Sequence, residues 1–179
     1  MVLRFDIPSM GDREVTMKLK ELALEIAQNE IAAGACEQDE NNAGPFVEKY
    51  LLGLAEPPAN WCAAFVSWCY LEAFKRSYSA PPKDWDFYRF RYSLSARAIH
   101  NEFKKYNRLV DVPVPGDLIF FWRGSINSWM GHIGLVFAID LDLNKLITIE
   151  GNKGKFPAKV DYYRYWLNDI PQLLGFGSV

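Results

Sequence analysis

Apolar residues recur every three to four positions from Met17 to Ala33: Leu19, Leu22, Ile26 and Ala33 form a stripe that Ala23 and Ala27 widen. Lys20, Glu21, Glu25 and Glu30 fall on the opposite, polar face, so the segment reads as an amphipathic helix. Gly34 ends it, and Glu37 to Gly44 is a polar loop rich in turn residues. A shorter helix, Phe46 to Leu54, follows Pro45. The segment EPPAN then breaks the chain before its densest apolar stretch, Trp61 to Phe74, which the pattern predicts as a buried helix. From Tyr78 to Tyr92 prolines, aromatics and charges mix without a period, as in an aromatic loop or insertion. Leu94 to Tyr106 reads as a further helix.

The texture changes after VPVPGD. Leu118 to Trp122, His132 to Ile139 and Lys145 to Glu150 are rich in β-branched and aromatic residues and are separated by turn signals, which predicts strands; Lys159 to Tyr165 adds another. Helices first and an antiparallel sheet second is an α+β arrangement. No repeat, linker or low-complexity tract divides the chain, so residues 1–179 are expected to form one domain, with its motif-bearing core from about 17 to 165.

Composition supports a large core: half of the residues are hydrophobic and 15% are aromatic. The formal net charge is -2, and Lys and Arg are scattered rather than gathered into a stripe, which argues against nucleic acid as a partner. Apolar runs such as Ile133 to Ile139 fall far short of the roughly 20 residues a spanning helix needs, so stable membrane insertion is not expected. Arg4, Asp6 and Pro8 interrupt the place where a secretory signal would need an apolar segment. Three cysteines, Cys36, Cys62 and Cys69, without a CxxC pair suggest neither a disulfide framework nor a zinc site, and no metal or cofactor is expected. At least one thiol stays free, as in a protein made in a reducing compartment and retained there or released later.

Cys62 follows the break at Pro57, Pro58 and Asn60, which places it in the first turn of its helix. The partial positive charge of a helix N-terminus favours the thiolate, the reactive form of cysteine. Cys69, two turns further into the apolar run, reads as an inert core residue. A thiol nucleophile needs a base within hydrogen-bond reach and a third group to fix the base's tautomer. Of the two histidines, His132 in WMGHIGLV begins a strand after glycine and can project from a sheet edge toward a facing helix; His100, on a polar helical stretch, reads as a surface residue. The next strand ends in TIEGN. A hairpin through Leu143 and Asn144 would bring Glu150 and Asn152 beside His132, and either could orient it.

NWCAAFVSWC, PGDLIFFWRG, GHIGLVFAI and ITIEGN, in that order and at those separations, resemble the cysteine, histidine-dependent amidohydrolase/peptidase (CHAP) domain of the papain-like, NlpC-type superfamily. The resemblance runs from about Leu19 to Val160 and includes the loop Asn42 to Pro45. It implies a papain-like fold, with the cysteine helix packed on the sheet, and peptidoglycan as substrate. Matched residue by residue, Cys62 would be the nucleophile, His132 the general base and acid, Glu150 the group that orients the imidazole and Asn152 an auxiliary polar group. Asp117 matches a glycine-aspartate turn and is read as structural, capping a turn near the site. Backbone N–H groups at the helix start would stabilise the oxyanion, with Asn60 as a further donor or as a helix cap. Trp61, Trp122 and Trp129 flank the motifs, where they line a cleft or pack in the core.

An acyltransferase or hydrolase acting on a non-wall substrate, and a non-catalytic binding module, are the alternatives on the same fold. Without a secretory signal, such an enzyme would be made in the cytoplasm and act on the wall after release or delivery. A delivered toxin would have an immunity protein that occludes the cleft near Cys62.

Overall fold

The apolar stripes and β-branched runs condense into helices packed on one sheet. The computed structural model describes residues 10–77 and 91–179. Among these, α1 (Met10–Ala32), α2 (Pro45–Leu51), α3 (Cys62–Ser77) and α4 (Ala96–Lys105) precede β1 (Leu109–Val110), β2 (Leu118–Trp122), β3 (Gly131–Asp140), β4 (Lys145–Lys153), β5 (Lys159–Trp166) and β6 (Leu173–Gly177). The strands form one sheet in the order β1-β6-β2-β3-β4-β5, with every neighbouring pair antiparallel. This is the expected α+β fold. Apart from Arg91 and Tyr92, the aromatic segment Tyr78 to Tyr92 lies outside the described residues.

Local chemistry sets the boundaries. α2 begins at Pro45, whose missing N–H costs nothing at the first helical position, and stops where Leu52 takes a left-handed conformation with φ 51°. Ser95 caps α4, its side chain accepting from the backbone N–H of Ala98. Two strands escaped the sequence reading. β1 has two residues, and β6 carries two glycines, Gly175 and Gly177, that weaken its strand signal. Yet β6 lies inside the sheet, between β1 and β2.

The period-2 alternation of β3 decides what faces the helices. Ile133 and Leu135 join Leu118, Phe120 and Ile149 in the main core against Phe65, Val66 and Cys69 of α3. His132, Gly134 and Val136 take the other face, where Val136 packs with Ile119, Phe121, Leu146 and Phe176 in a smaller cluster. The sheet is therefore buried on both faces, and its second apolar layer supports the histidine.

Two residues assigned to the polar face of α1 are buried, because tertiary partners neutralise them. Lys20 pairs with Asp117 at 2.7 Å and donates to Ser178 Oγ. Glu30 accepts from Lys49 at 2.6 and 2.7 Å and from the Tyr50 hydroxyl at 2.5 Å. His100 is likewise buried rather than on the surface: α4 turns it inward onto the Phe120 ring, 5.2 Å away and edge-on.

Asp117 does cap a turn, its Oδ2 accepting from the Val114 backbone N–H at 2.8 Å. The turn is not near the histidine, however. Asp117 precedes Leu118, which pairs with Leu135, whereas His132 pairs with Phe121. Four residues of strand, about 13 Å, separate the two ends.

Candidate active site

Cys62 is the first residue of α3, at the helix end that meets β3. Pairing between β3 and β4 runs from the hairpin only as far as Leu135 opposite Ile149. Beyond that point lie His132 on β3 and Glu150 to Asn152 on β4. β3 is thus an interior strand, not an edge; its histidine is reachable because the neighbouring ladder stops short. At this place the Cys62 thiol meets the imidazole of His132 and the backbone N–H groups of Ala63 and Ile133, all of which draw its pKa down.

Glu150 meets the other side of the ring. His132 Nε2 lies 2.7 Å from Glu150 Oε2, and because an ionised carboxylate only accepts, Nε2 carries the proton. That tautomer leaves Nδ1 for the thiol. Burial pulls the imidazole pKa down, but hydrogen bonds and charge from Cys62 and Glu150 outweigh it and push the pKa up to about 8. For Cys62, burial favours the neutral thiol, yet the His132 imidazole and the two N–H donors win, leaving its pKa below the ordinary value. Both shifts favour a thiolate–imidazolium pair.

Glu150 is fully buried and held on every side. Thr148 Oγ1 and the Tyr165 hydroxyl each donate to Oε1 at 2.6 Å, and Lys153 Nζ lies 3.1 Å from Oε1 and 3.0 Å from Oε2. Burial would raise its pKa, but His132, Lys153 and Thr148 lower it to about 2. A carboxylate this well solvated by donors stays ionised without water. The second glycine of GHIG makes the contact with His132 possible, since a Cβ at Gly134 would stand 2.5 Å from Cγ of Glu150.

Asn152 goes elsewhere. The register between β4 and β5 shifts between Glu150 and Lys153, and Asn152 sits in this bulge at φ 57°. Its amide oxygen accepts from the Trp61 backbone N–H at 2.9 Å, and its NH2 group donates to Asn42 Oδ1 at 3.0 Å and Glu37 Oε1 at 3.2 Å. Of the two residues that could orient the imidazole, Glu150 touches it; Asn152 braces the Asn60–Trp61 peptide, one residue ahead of Cys62.

Trp61 does not line a cleft. Its ring is fully buried, lies 5.7 Å from that of Tyr50 and donates through Nε1 to Glu37 at 3.1 Å. Glu37, also buried, accepts from the Ala158 backbone N–H as well. This carboxylate ties the loop after α1 to the start of α3 and to the residue before β5. Asn60 is exposed, and Trp61 rather than Asn60 immediately precedes the helix, so Asn60 is not its N-cap. Trp129, in the loop between β2 and β3, is 79% exposed beside Ile126 and Met130, which are exposed too.

Thr148, Lys153, Tyr165, Glu37 and Gly134 were not singled out from the sequence. Thr148 had a signal, since it lies two positions before Glu150 and so shares its face. Lys153 had a contrary one: strict alternation would put it on the opposite face, and only the bulge returns it. Among the described residues no group of His, Cys, Asp and Glu side chains is arranged to hold a metal ion, and no helix is long and apolar enough to cross a membrane.

Comparison with known families adds an independent finding. The family model of the CHAP domain matches residues 55–152, more than half of the chain, a span that contains Cys62, His132, Glu150 and Asn152. No curated protein and no solved structure matches the chain. The match supports a hydrolase of the cysteine peptidase or amidase kind. With a thiol at a helix start, an imidazole beside it and this family match across both, the chain belongs to the CHAP domain family, within the papain-like cysteine peptidase superfamily.

Proposed function

We propose that the protein hydrolyses amide bonds in the peptide of peptidoglycan, with Cys62 as nucleophile, His132 as general acid and base, and Glu150 orienting the imidazole. One observation carries the reading: His132 is held by Glu150 through Nε2 while its other nitrogen is left to a thiol at a helix N-terminus. An inert core cysteine has no need of such partners, and Cys69, buried in the same helix with its pKa raised by burial, lacks them.

The chemistry follows from the two protonation states. Cys62 thiolate attacks the scissile carbonyl, and backbone N–H groups at the start of α3 receive the developing oxyanion; in this reading the exposed Asn60 adds a further donor. Imidazolium Nδ1–H protonates the leaving amine as the C–N bond breaks, leaving an acyl thioester on Cys62. Neutral His132 then takes a proton from water, whose oxygen attacks the thioester and expels the thiolate as the carboxylic product forms. Asn152, by holding the Trp61 N–H, keeps the Asn60–Trp61 peptide in place. Trp129 offers an exposed aromatic face on the loop leading to His132.

The test is mass spectrometry of purified peptidoglycan after incubation with wild-type protein and with Cys62→Ala. Release of defined fragments by wild type alone is the expected result, and their masses name the bond. If neither protein releases fragments while both are folded, the wall is not the substrate, and non-wall acyl substrates become the next candidates.

A further inference from the structure

Glu150 faces two cations, and both reach the same oxygen. His132 Nε2 and Lys153 Nζ lie 2.7 and 3.0 Å from Oε2. The Lys153 ammonium also contacts the Tyr165 hydroxyl and rests 4.1 Å from the Tyr163 ring centroid and 5.6 Å from that of Phe121. The lysine side chain is 24% exposed, while that of Glu150 is fully buried. Other groups face this cluster from every neighbouring element. Cys62 of α3 lies across His132, Tyr163 and Asp161 come from β5, with Asp161 in register opposite Glu150, and Arg123 stands just past β2 with its guanidinium 5.5 Å from the Phe121 ring.

The charges decide what Lys153 does. A thiolate, an imidazolium and a carboxylate together carry one net negative charge in a buried space. With the ammonium added, the four groups are neutral. A thiol ionises more readily when a cation stands nearby, and the burial of Cys62, His132 and Glu150 weakens the screening of that charge.

We propose that Lys153 is a positioning residue of this site: it holds the Glu150 carboxylate in place and supplies the positive charge that makes the thiolate–imidazolium–carboxylate group neutral. The inference deepens the functional reading and rests on Cys62 being its nucleophile. The bulge at Asn152 is the device that delivers the lysine, since it returns residue 153 to the face of residue 150. A lysine that merely pinned β4 to β5 would affect melting and leave the thiol alone.

Alkylation of Cys62 by iodoacetamide, read at the Cys62 peptide by mass spectrometry across pH, measures thiolate formation without any substrate. Lys153→Met, which keeps the stem and removes the charge, is expected to move the midpoint up by about one unit, a roughly tenfold slower reaction on the acid side. Lys153→Arg is expected to keep the midpoint near that of wild type. An unmoved midpoint in Lys153→Met, or an equal shift in Lys153→Arg, overturns the proposal. Circular dichroism verifies folding, and Lys153→Gln replaces the methionine variant if that one does not fold. Peptidoglycan hydrolysis run alongside separates the two readings: the expected midpoint shift with a wild type inactive on the wall removes only the substrate, whereas an active wild type with an unmoved midpoint removes only the role of Lys153.

Discussion

Glu150 reaches His132 by crossing β3 directly over Gly134, where a side chain would block it: a Cβ at residue 134 would lie 2.5 Å from Cγ of Glu150 and 3.1 Å from the carbonyl oxygen of Ile149. The glycine is thus part of the site, although it bears no functional group.

Gly134→Ala is expected to push the carboxylate off the imidazole. Misplacing a catalytic group by about an ångström costs roughly 10²-fold in rate. Turnover should fall by about that factor with little change in KM and a smaller effect on melting. Steady-state kinetics on solubilised wall fragments, together with a thermal melt, checks this; unchanged turnover would show that the carboxylate does not need this path.

Glu150→Gln removes the charge that helps hold the imidazolium. With the His132 pKa at about 8, wild-type activity should decline above that pH, because neutral imidazole cannot protonate the leaving amine. In the variant this alkaline limb should move to lower pH, with turnover reduced roughly 10²-fold. Stability changes on the acid side. The Glu150 pKa is about 2 in the folded protein against 4.5 for the free group, so its contribution is present above 4.5 and disappears as the pH falls toward 2. Melting temperatures measured from pH 6 down to pH 2 should show a component of acid destabilisation in wild type that the glutamine variant lacks.

The ion pair of Lys20 and Asp117 tests whether the GD turn serves stability or chemistry. The two side chains are 10% and 2% exposed, so Lys20→Met would strand a buried carboxylate. Breaking such a pair costs about 3–5 kcal/mol, or a drop in melting temperature of roughly 10 °C at this chain length. Turnover well below the new melting point should stay close to wild type, because Asp117 sits at the far end of β2 from the strand position that faces His132. A large loss of turnover in folded protein would instead give Asp117 a part in the reaction.

Trp129→Ala separates a substrate contact from a fold contact. At 79% exposure the ring contributes little to packing, so the melt should move by less than about 0.5 kcal/mol. If the ring meets substrate, KM for wall fragments should rise several-fold with turnover largely kept. Unchanged KM would place the substrate elsewhere.

Much of the site was legible in the sequence because its signals are local. Pro57, Pro58 and the apolar run after Asn60 mark where α3 starts, and a cysteine at a helix start is a chemical statement before any fold is known. β-Branched and aromatic runs between turn signals marked the strands, and the turn at Asn144 made the hairpin that sets Glu150 beside His132. The polar residues were harder. Lys20 and Glu30 look like solvent-facing helix residues until Asp117, Lys49 and Tyr50, distant in sequence, arrive to neutralise them. His100 looked exposed for the same reason, since a periodicity argument does not know which helix face meets the Phe120 ring.

The element types, the α+β class and the candidate thiol, imidazole and pair of orienting residues were legible in the amino-acid order, because each rests on spacing or on intrinsic backbone preference. Which of that pair touches the imidazole follows only from packing. Gly134 opens the path for Glu150, the bulge turns Asn152 toward Trp61 and returns Lys153 to the carboxylate, and β6 slips into the sheet despite a weak strand signal of its own. These outcomes depend on register, on close approach and on charge compensation across the fold, and such quantities exist only once distant segments are packed together.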